Sequence, residues 1–184
     1  MTAAENGMSG PLGRDRILEL FDELSEELRF SRTRAQVYVV GGAAMSLAFD
    51  RERTTRDVDA RIASGHHRLS LAVRTVGLRH GLPDTWLNEQ ATAWMPLSDD
   101  ARAQTLYESP YLTVTGASAG HLLAMKLRSA RERDREDVAL LCRHLELEGP
   151  KEAIRIYEQV FPGERLLSRA RALLDSLFQD RGET

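Results

Sequence analysis

Two short stretches constrain this chain more than anything else in it. Tyr38-Val39-Val40-Gly41-Gly42 is an apolar, β-branched run that ends in a glycine pair, and Arg56-Asp57-Val58-Asp59 follows after a short apolar segment. The first predicts a buried strand, Ala35 to Val40, turning into a helix over about Ala43 to Phe49. The second predicts a strand over Thr54 to Ile62, with Val58, Ala60 and Ile62 on one face and Asp57, Asp59 and Arg61 on the other. Residues i and i+2 of a strand point the same way, so Asp57 and Asp59 are expected to project together. A glycine turn at a helix N-terminus offers backbone N–H groups and the positive end of the helix dipole to a phosphate. Paired carboxylates suit Mg²⁺, which takes one or two of them together with substrate phosphates. A solvent-facing edge strand would show the same Asp-x-Asp spacing, and strand-end glycines are commonly turn devices. Only the combination, in this order, points to a site for nucleotidyl transfer.

The rest of the chain reads as an α+β domain. A helix is expected over Asp15 to Phe30, from the spacing of Ile17, Leu20, Phe21, Leu24 and Leu28. A second runs from Ser64-Gly65 to about His80 and is ended by Gly81-Leu82-Pro83. Gln104 to Glu108 and Tyr111 to Thr115 read as strands, whereas Asp84 to Ala93 is ambiguous and would fit about a turn and a half of helix. Helices follow over Ser118 to about Arg131 with Ser118 as N-cap, from Asp134 or Arg135 to Leu147, over Lys151 to Val160 and over Glu164 to Gln179. The order implies a small mixed sheet flanked by helices, with a helical C-terminal half. The expected organisation is a disordered tail over 1–11, a core over 12–116, and a helical region over 117–184 packed on that core.

Composition removes several classes. The formal net charge of −3 argues against a domain built mainly to coat nucleic acid. No run of apolar residues is long enough for a membrane span, and the first eleven residues lack the basic and apolar regions of a signal peptide. Cys142 is the single cysteine; it fits a reducing, cytoplasmic setting and a buried place on a helix. His66-His67 lacks the spacing of a zinc site. Trp86 and Trp94 suit packing better than base stacking, and Asn88 keeps a minor claim to function. Of the 25 basic residues only Lys126 and Lys151 are lysines, which singles out Lys126 on an apolar helix face. Its ammonium could snorkel to water, or meet a phosphate while a carboxylate steadies it. An unbroken helix would bring Asp137, eleven residues on, back to the same face. Arg128, Arg131 and Arg135 could form a basic stripe for RNA or a plain solvated face. Arg56 is the best placed of the arginines near the carboxylates to meet a triphosphate, or it could pair with Asp57 or Asp59.

The run Tyr38 to Ala44 with Arg53 to Asp59 resembles the Gly-Gly…Asp-x-Asp motif of the nucleotidyltransferase superfamily. Leu122-Leu123-Ala124-Met125-Lys126-Leu127 with Arg133-Asp134-Arg135-Glu136-Asp137-Val138 resembles the second motif of its AbiEii and MenT-like toxin branch, and Trp86-Leu87-Asn88 is similar to a stretch in relatives of that branch. The resemblance implies a nucleotidyltransferase fold using Mg²⁺, or Mn²⁺ in its place, and an NTP such as ATP or CTP. It implies transfer to the 3′ end of tRNA by a toxin that a cognate antitoxin protein neutralises. Carried over by position, Asp57 and Asp59 bind the metal, and Gly41 and Gly42 hold the triphosphate. Lys126 contacts phosphate, and Asp134 is the acid of the second motif. Beside these, Asp137 and Arg56 are candidates for nucleotide binding. Two departures stand out. Ala43 occupies a position near the glycines where Ser or Thr is common, and a third carboxylate, for which Glu89 and Glu108 are available, has no clear motif. Two other readings stay open: transfer to a small molecule such as an antibiotic, and a degenerate fold used for binding.

Overall fold

The computed structural model describes residues 10–182. Of the expected tail, residues 1–9 lie outside the described residues. The described chain is α+β, with a five-stranded mixed sheet and seven helices. It divides into two compact units. One holds the residues through Ala93 together with Gln104–Gly116, and the other holds Trp94–Ala103 and the residues from Ala117 on. No described helix is long and apolar enough to cross a membrane.

The first unit contains the whole sheet. Its strands are β1 (Ala35–Val39), β2 (Val58–Ser64), β3 (Leu87–Asn88), β4 (Gln104–Glu108) and β5 (Leu112–Gly116). Their spatial order is β3-β2-β1-β5-β4. β1 pairs antiparallel with β2 and parallel with β5. Ala35, Val37 and Val39 of β1 and Leu112 and Val114 of β5 are buried, as the apolar runs require. Helix α1 (Arg14–Phe30) buries Ile17, Leu20, Phe21, Leu24 and Leu28, a single stripe at helical spacing. It packs against α2 (Gly41–Ala48), α3 (His66–His80) and β5.

β2 begins later than its alternation suggests. Thr54 to Asp57 form a held loop instead of strand. Leu12 and Thr55 exchange two backbone hydrogen bonds of 2.7 and 2.9 Å. The Thr55 hydroxyl donates to the Asp57 carbonyl at 3.1 Å, and the Ser46 hydroxyl of α2 donates to the Arg53 carbonyl at 2.7 Å. These bonds use groups that a ladder partner would otherwise take. Within β2 itself the alternation holds, with Val58 and Ala60 buried, Asp59 half-buried and Arg61 exposed.

The aperiodic stretch after α3 resolves into β3 and a 3-10 turn, Gln90–Trp94. Trp86 explains how so short a strand is held. Its ring is 1 % exposed, and its indole N–H donates to the Val73 carbonyl of α3 at 2.9 Å. Gly77 makes room: a Cβ there would stand 3.0 Å from the indole ring. The Trp86 carbonyl accepts from Val58 N–H at 2.7 Å, so the same residue that anchors to α3 starts the pairing with β2. On the other sheet edge, the Tyr107 hydroxyl of β4 donates to Asp22 of α1 at 2.8 Å. Desolvation, and then this bond, raises the Tyr107 phenol above its ordinary value.

The second unit is helical: α4 (Ala119–Ser129), α5 (Arg135–His144), α6 (Pro150–Val160) and α7 (Ser168–Gly182). Ser118 caps α4, its hydroxyl accepting from His121 N–H at 3.4 Å. α4 packs on α5 and α6, and α6 packs on α7. Cys142 is buried in α5. The expected helix junction is sharper than the sequence suggests. α4 stops at Ala130, which has a left-handed φ of 41°, and a 3-10 turn over Glu132–Asp134 leads into α5. Arg128, Arg131 and Arg135 therefore do not share one helix face. Arg128 pairs with Glu164 and stacks on Phe161, while Arg135 pairs with Asp180. Trp94, expected to pack, is 65 % exposed.

Trp86→Ala removes both the anchor of β3 and a large buried ring. It should lower the free energy of unfolding by about 3–5 kcal/mol, read from urea denaturation.

Candidate active site

Gly41 and Gly42 begin α2 directly at the end of β1. Val40, the N-cap residue, donates its N–H to the Asp59 carbonyl at 2.9 Å, which fixes the start of the helix against β2. No side chain caps α2. The first N–H groups of a helix have no partner within it, so they stay available to an acceptor from outside.

Both glycines are required by their surroundings. Gly41 has φ +64°, a left-handed conformation, and a Cβ there would stand 3.3 Å from Asp59 Oδ2. A Cβ on Gly42 would stand 2.7 Å from Thr55 Oγ1. The glycine pair thus lets the helix start lie against the carboxylate of β2 on one side and the loop before β2 on the other. Ser or Thr at position 43 is not what closes this corner: Ala43 is buried, and Thr55 supplies the nearby hydroxyl.

Asp59 is the second residue of β2, while Asp57 precedes the strand in a bend. Strand alternation therefore accounts for Asp59 but not for Asp57. Asn88 does what alternation does not. It pairs in register with Asp59 across the parallel β2·β3 ladder, and its Nδ2 donates to Asp57 Oδ2 at 3.2 Å. One side chain thereby links the neighbourhoods of both carboxylates. Arg56 is exposed. Asp59 beside an uncapped glycine corner, with Asp57 two residues before it, could hold a hard divalent cation that carries phosphates of its own. Among the described residues there is no cluster of three or more His, Cys, Asp or Glu arranged to hold a metal.

The two acids considered as further ligands are otherwise placed. Glu89 accepts from Ile62 N–H at 2.9 Å and meets His66 Nε2 at 2.7 Å. Glu108 lies on β4, at the edge of the sheet opposite β3.

The second motif is a buried ionic cluster within the helical unit. Lys126 is 8 % exposed; its Nζ lies 3.0 Å from Asp134 Oδ1 and 2.5 Å from Asp137 Oδ2. Ser129 donates to the other oxygen of Asp134 at 3.2 Å. The sequence expectation that Lys126 meets Asp137 holds, but by a different route. The helix breaks at Ala130, and the turn at Glu132–Asp134 redirects α5 so that Asp137 faces back. The ammonium is shared by two carboxylates, and this joins α4 to α5. Asn88 and Thr55 are the residues that sequence reasoning undervalued. A two-residue strand carries no period, and only a conspicuous Asn after Trp-Leu hinted at the first.

A family model described as "Nucleotidyltransferase of unknown function (DUF6036)" matches residues 15–158. No curated protein and no solved structure matches the chain. The matched span takes in the glycine corner, both carboxylates and the Lys126 cluster.

Removing one partner of a buried ion cluster leaves the others uncompensated. Lys126→Ala should cost about 3–5 kcal/mol of stability. Differential scanning calorimetry checks it: an unchanged midpoint would mean the cluster holds nothing together.

Proposed function

The chain belongs to this family of nucleotidyltransferases of unknown function, and on that premise we propose that it moves a nucleoside monophosphate from an NTP to a hydroxyl acceptor. The observation that carries the reading is the glycine corner: an uncapped helix start whose first residue lies against the Asp59 carboxylate. In this reading the α2 N–H groups of Gly41 and Gly42 receive the triphosphate, whose charge the helix terminus favours. Asp57 and Asp59 hold Mg²⁺, for which Mn²⁺ can substitute. Bound there, the ion supplies charge neutralisation and in-line orientation at the α-phosphate. The acceptor oxygen forms a bond to the α-phosphorus, the bond to the bridging oxygen of the β-phosphate breaks, and pyrophosphate leaves. The acceptor proton passes to solvent. Exposed Arg56, one residue before Asp57, is available to the leaving phosphates.

For Lys126, Asp134 and Asp137 we assign first a structural role, since the ammonium is buried between the two carboxylates. A phosphate contact by Lys126, as the resemblance implies, would require it to leave that cluster. The acceptor we propose is the 3′ end of tRNA, with the chain acting as the toxin of a toxin–antitoxin pair. The support is the resemblance of the second motif to the AbiEii and MenT-like branch.

The test is incubation with each α-labelled NTP, Mg²⁺ and total tRNA, run beside Asp57→Ala and Asp59→Ala. Label should enter RNA with the wild type, and either substitution should reduce it by at least about 10²–10³-fold, the scale of losing a preorganised electrostatic group. Undiminished transfer by either variant would overturn the mechanism. Transfer to a small molecule alone would retain the chemistry and replace the acceptor.

A further inference from the structure

Asn88 occupies an unusual position for a polar side chain. It is 9 % exposed, it ends a two-residue edge strand, and it is the in-register neighbour of Asp59. Its amide makes three hydrogen bonds: Nδ2 to Asp57 Oδ2 at 3.2 Å, Nδ2 to the Thr85 carbonyl at 3.1 Å, and Oδ1 from Gln90 N–H at 2.9 Å. The two backbone partners fix which way the amide points. A carbonyl can only accept and a backbone N–H can only donate, so the oxygen must face Gln90 and the nitrogen must face Thr85. The amino group then has no choice but to present its second hydrogen to Asp57.

We infer that Asn88 is a positioning residue that sets Asp57 for divalent-cation binding, and that its neutral amide keeps the site at two carboxylates where a third ligand would otherwise fit. The inference rests on the function proposed above. Three features of the chain lead to it. Asp57 lies outside β2, so no ladder bond of the strand fixes its backbone. Asn88 donates to one of its oxygens, Oδ2, and in this reading the other oxygen takes the cation. The acids nearest in sequence do not supply a third charge, because Glu89 is engaged by Ile62 and His66. Hydrogen bonds from an outer group to a ligating carboxylate commonly change metal affinity by about 10–100-fold. Asn88 itself spends both amino hydrogens and faces its oxygen to Gln90, so it acts on the cation through Asp57.

Two substitutions at this one position should move cation binding in opposite directions. Asn88→Ala removes the donor. Asn88→Asp keeps the volume, replaces the donor by a charge, and sets a third carboxylate beside the other two. The full-length protein is titrated with Mn²⁺, following free Mn²⁺ by electron paramagnetic resonance, and its thermal midpoint is recorded with and without the ion. Wild type should bind one ion. Asn88→Ala should bind it about 10–100-fold more weakly, and Asp57→Ala combined with Asn88→Ala should be no weaker than Asp57→Ala alone. Asn88→Asp should start from a lower midpoint without metal and gain more on adding Mn²⁺ than wild type gains, since binding to the native state alone raises its stability. Wild-type affinity in Asn88→Ala, or equal metal-dependent gains in wild type and Asn88→Asp, would overturn the inference while leaving the function standing. Absence of Mn²⁺ binding by the wild type, with or without an NTP, would overturn the proposed function and this inference with it. Should Asn88→Ala fail to fold, the Asn88→Asp arm decides alone.

Discussion

The first unit is organised around one close approach, Gly41 against Asp59. A helix can start there only because position 41 tolerates a left-handed φ of +64° and carries no Cβ toward the carboxylate. That contact has consequences in both directions along the chain. Val40 N–H is tied to the Asp59 carbonyl, so β1, the helix start and β2 meet at a single corner. Ser46 of α2 and Leu12 then hold the loop before β2, which delivers Asp57 and Arg56 to the same region. Partial positive charge of an uncapped helix terminus and full negative charge of the aspartates are placed next to each other. A carboxylate near a helix N-terminus is itself worth about 0.3–1 kcal/mol to the fold; in the function proposed above, a nucleotide would bring phosphates to the helix and a cation to the carboxylates.

The helical unit uses charge differently. Lys126, Asp134 and Asp137 are buried on helices and a turn whose Leu123, Leu127, Val138 and Leu141 are also buried, and the ion cluster spans the turn between α4 and α5. Left-handed Ala130 permits that turn at some cost in backbone strain. The lysine is therefore specified by packing and pairing before any ligand is considered.

The legible and illegible parts of the chain differ for physical reasons. The stripe of α1, the β1-glycine-α2 turn, the alternation of β2 from Val58 onward and the Ser118 cap were readable because each expresses a period or a cap chemistry over several residues; the start of β2 was not. The α+β class followed from their order. Asp57 looked like strand because alternation cannot register a Thr55 hydroxyl that turns back on the chain. β3 was invisible: two residues have no period, and what holds them is the long-range seating of Trp86 on α3. An unbroken helix would have put Asp137 on the Lys126 face; the helix breaks, and the contact forms because a 3-10 turn redirects the second helix to the same effect. The arginine series at 128, 131 and 135 failed as a stripe for the same reason. Of the candidate site, Asp59 and the glycines could be read from spacing, whereas Asn88 needed the sheet register.

The most direct measurement is a crystal structure of the full-length protein with Mg²⁺ and a non-hydrolysable NTP. Triphosphate oxygens should lie on the N–H groups of Gly41 and Gly42, with a metal ion ligated by both Asp57 and Asp59. A nucleotide bound away from the α2 terminus, or a metal ligated by neither aspartate, would contradict this assignment.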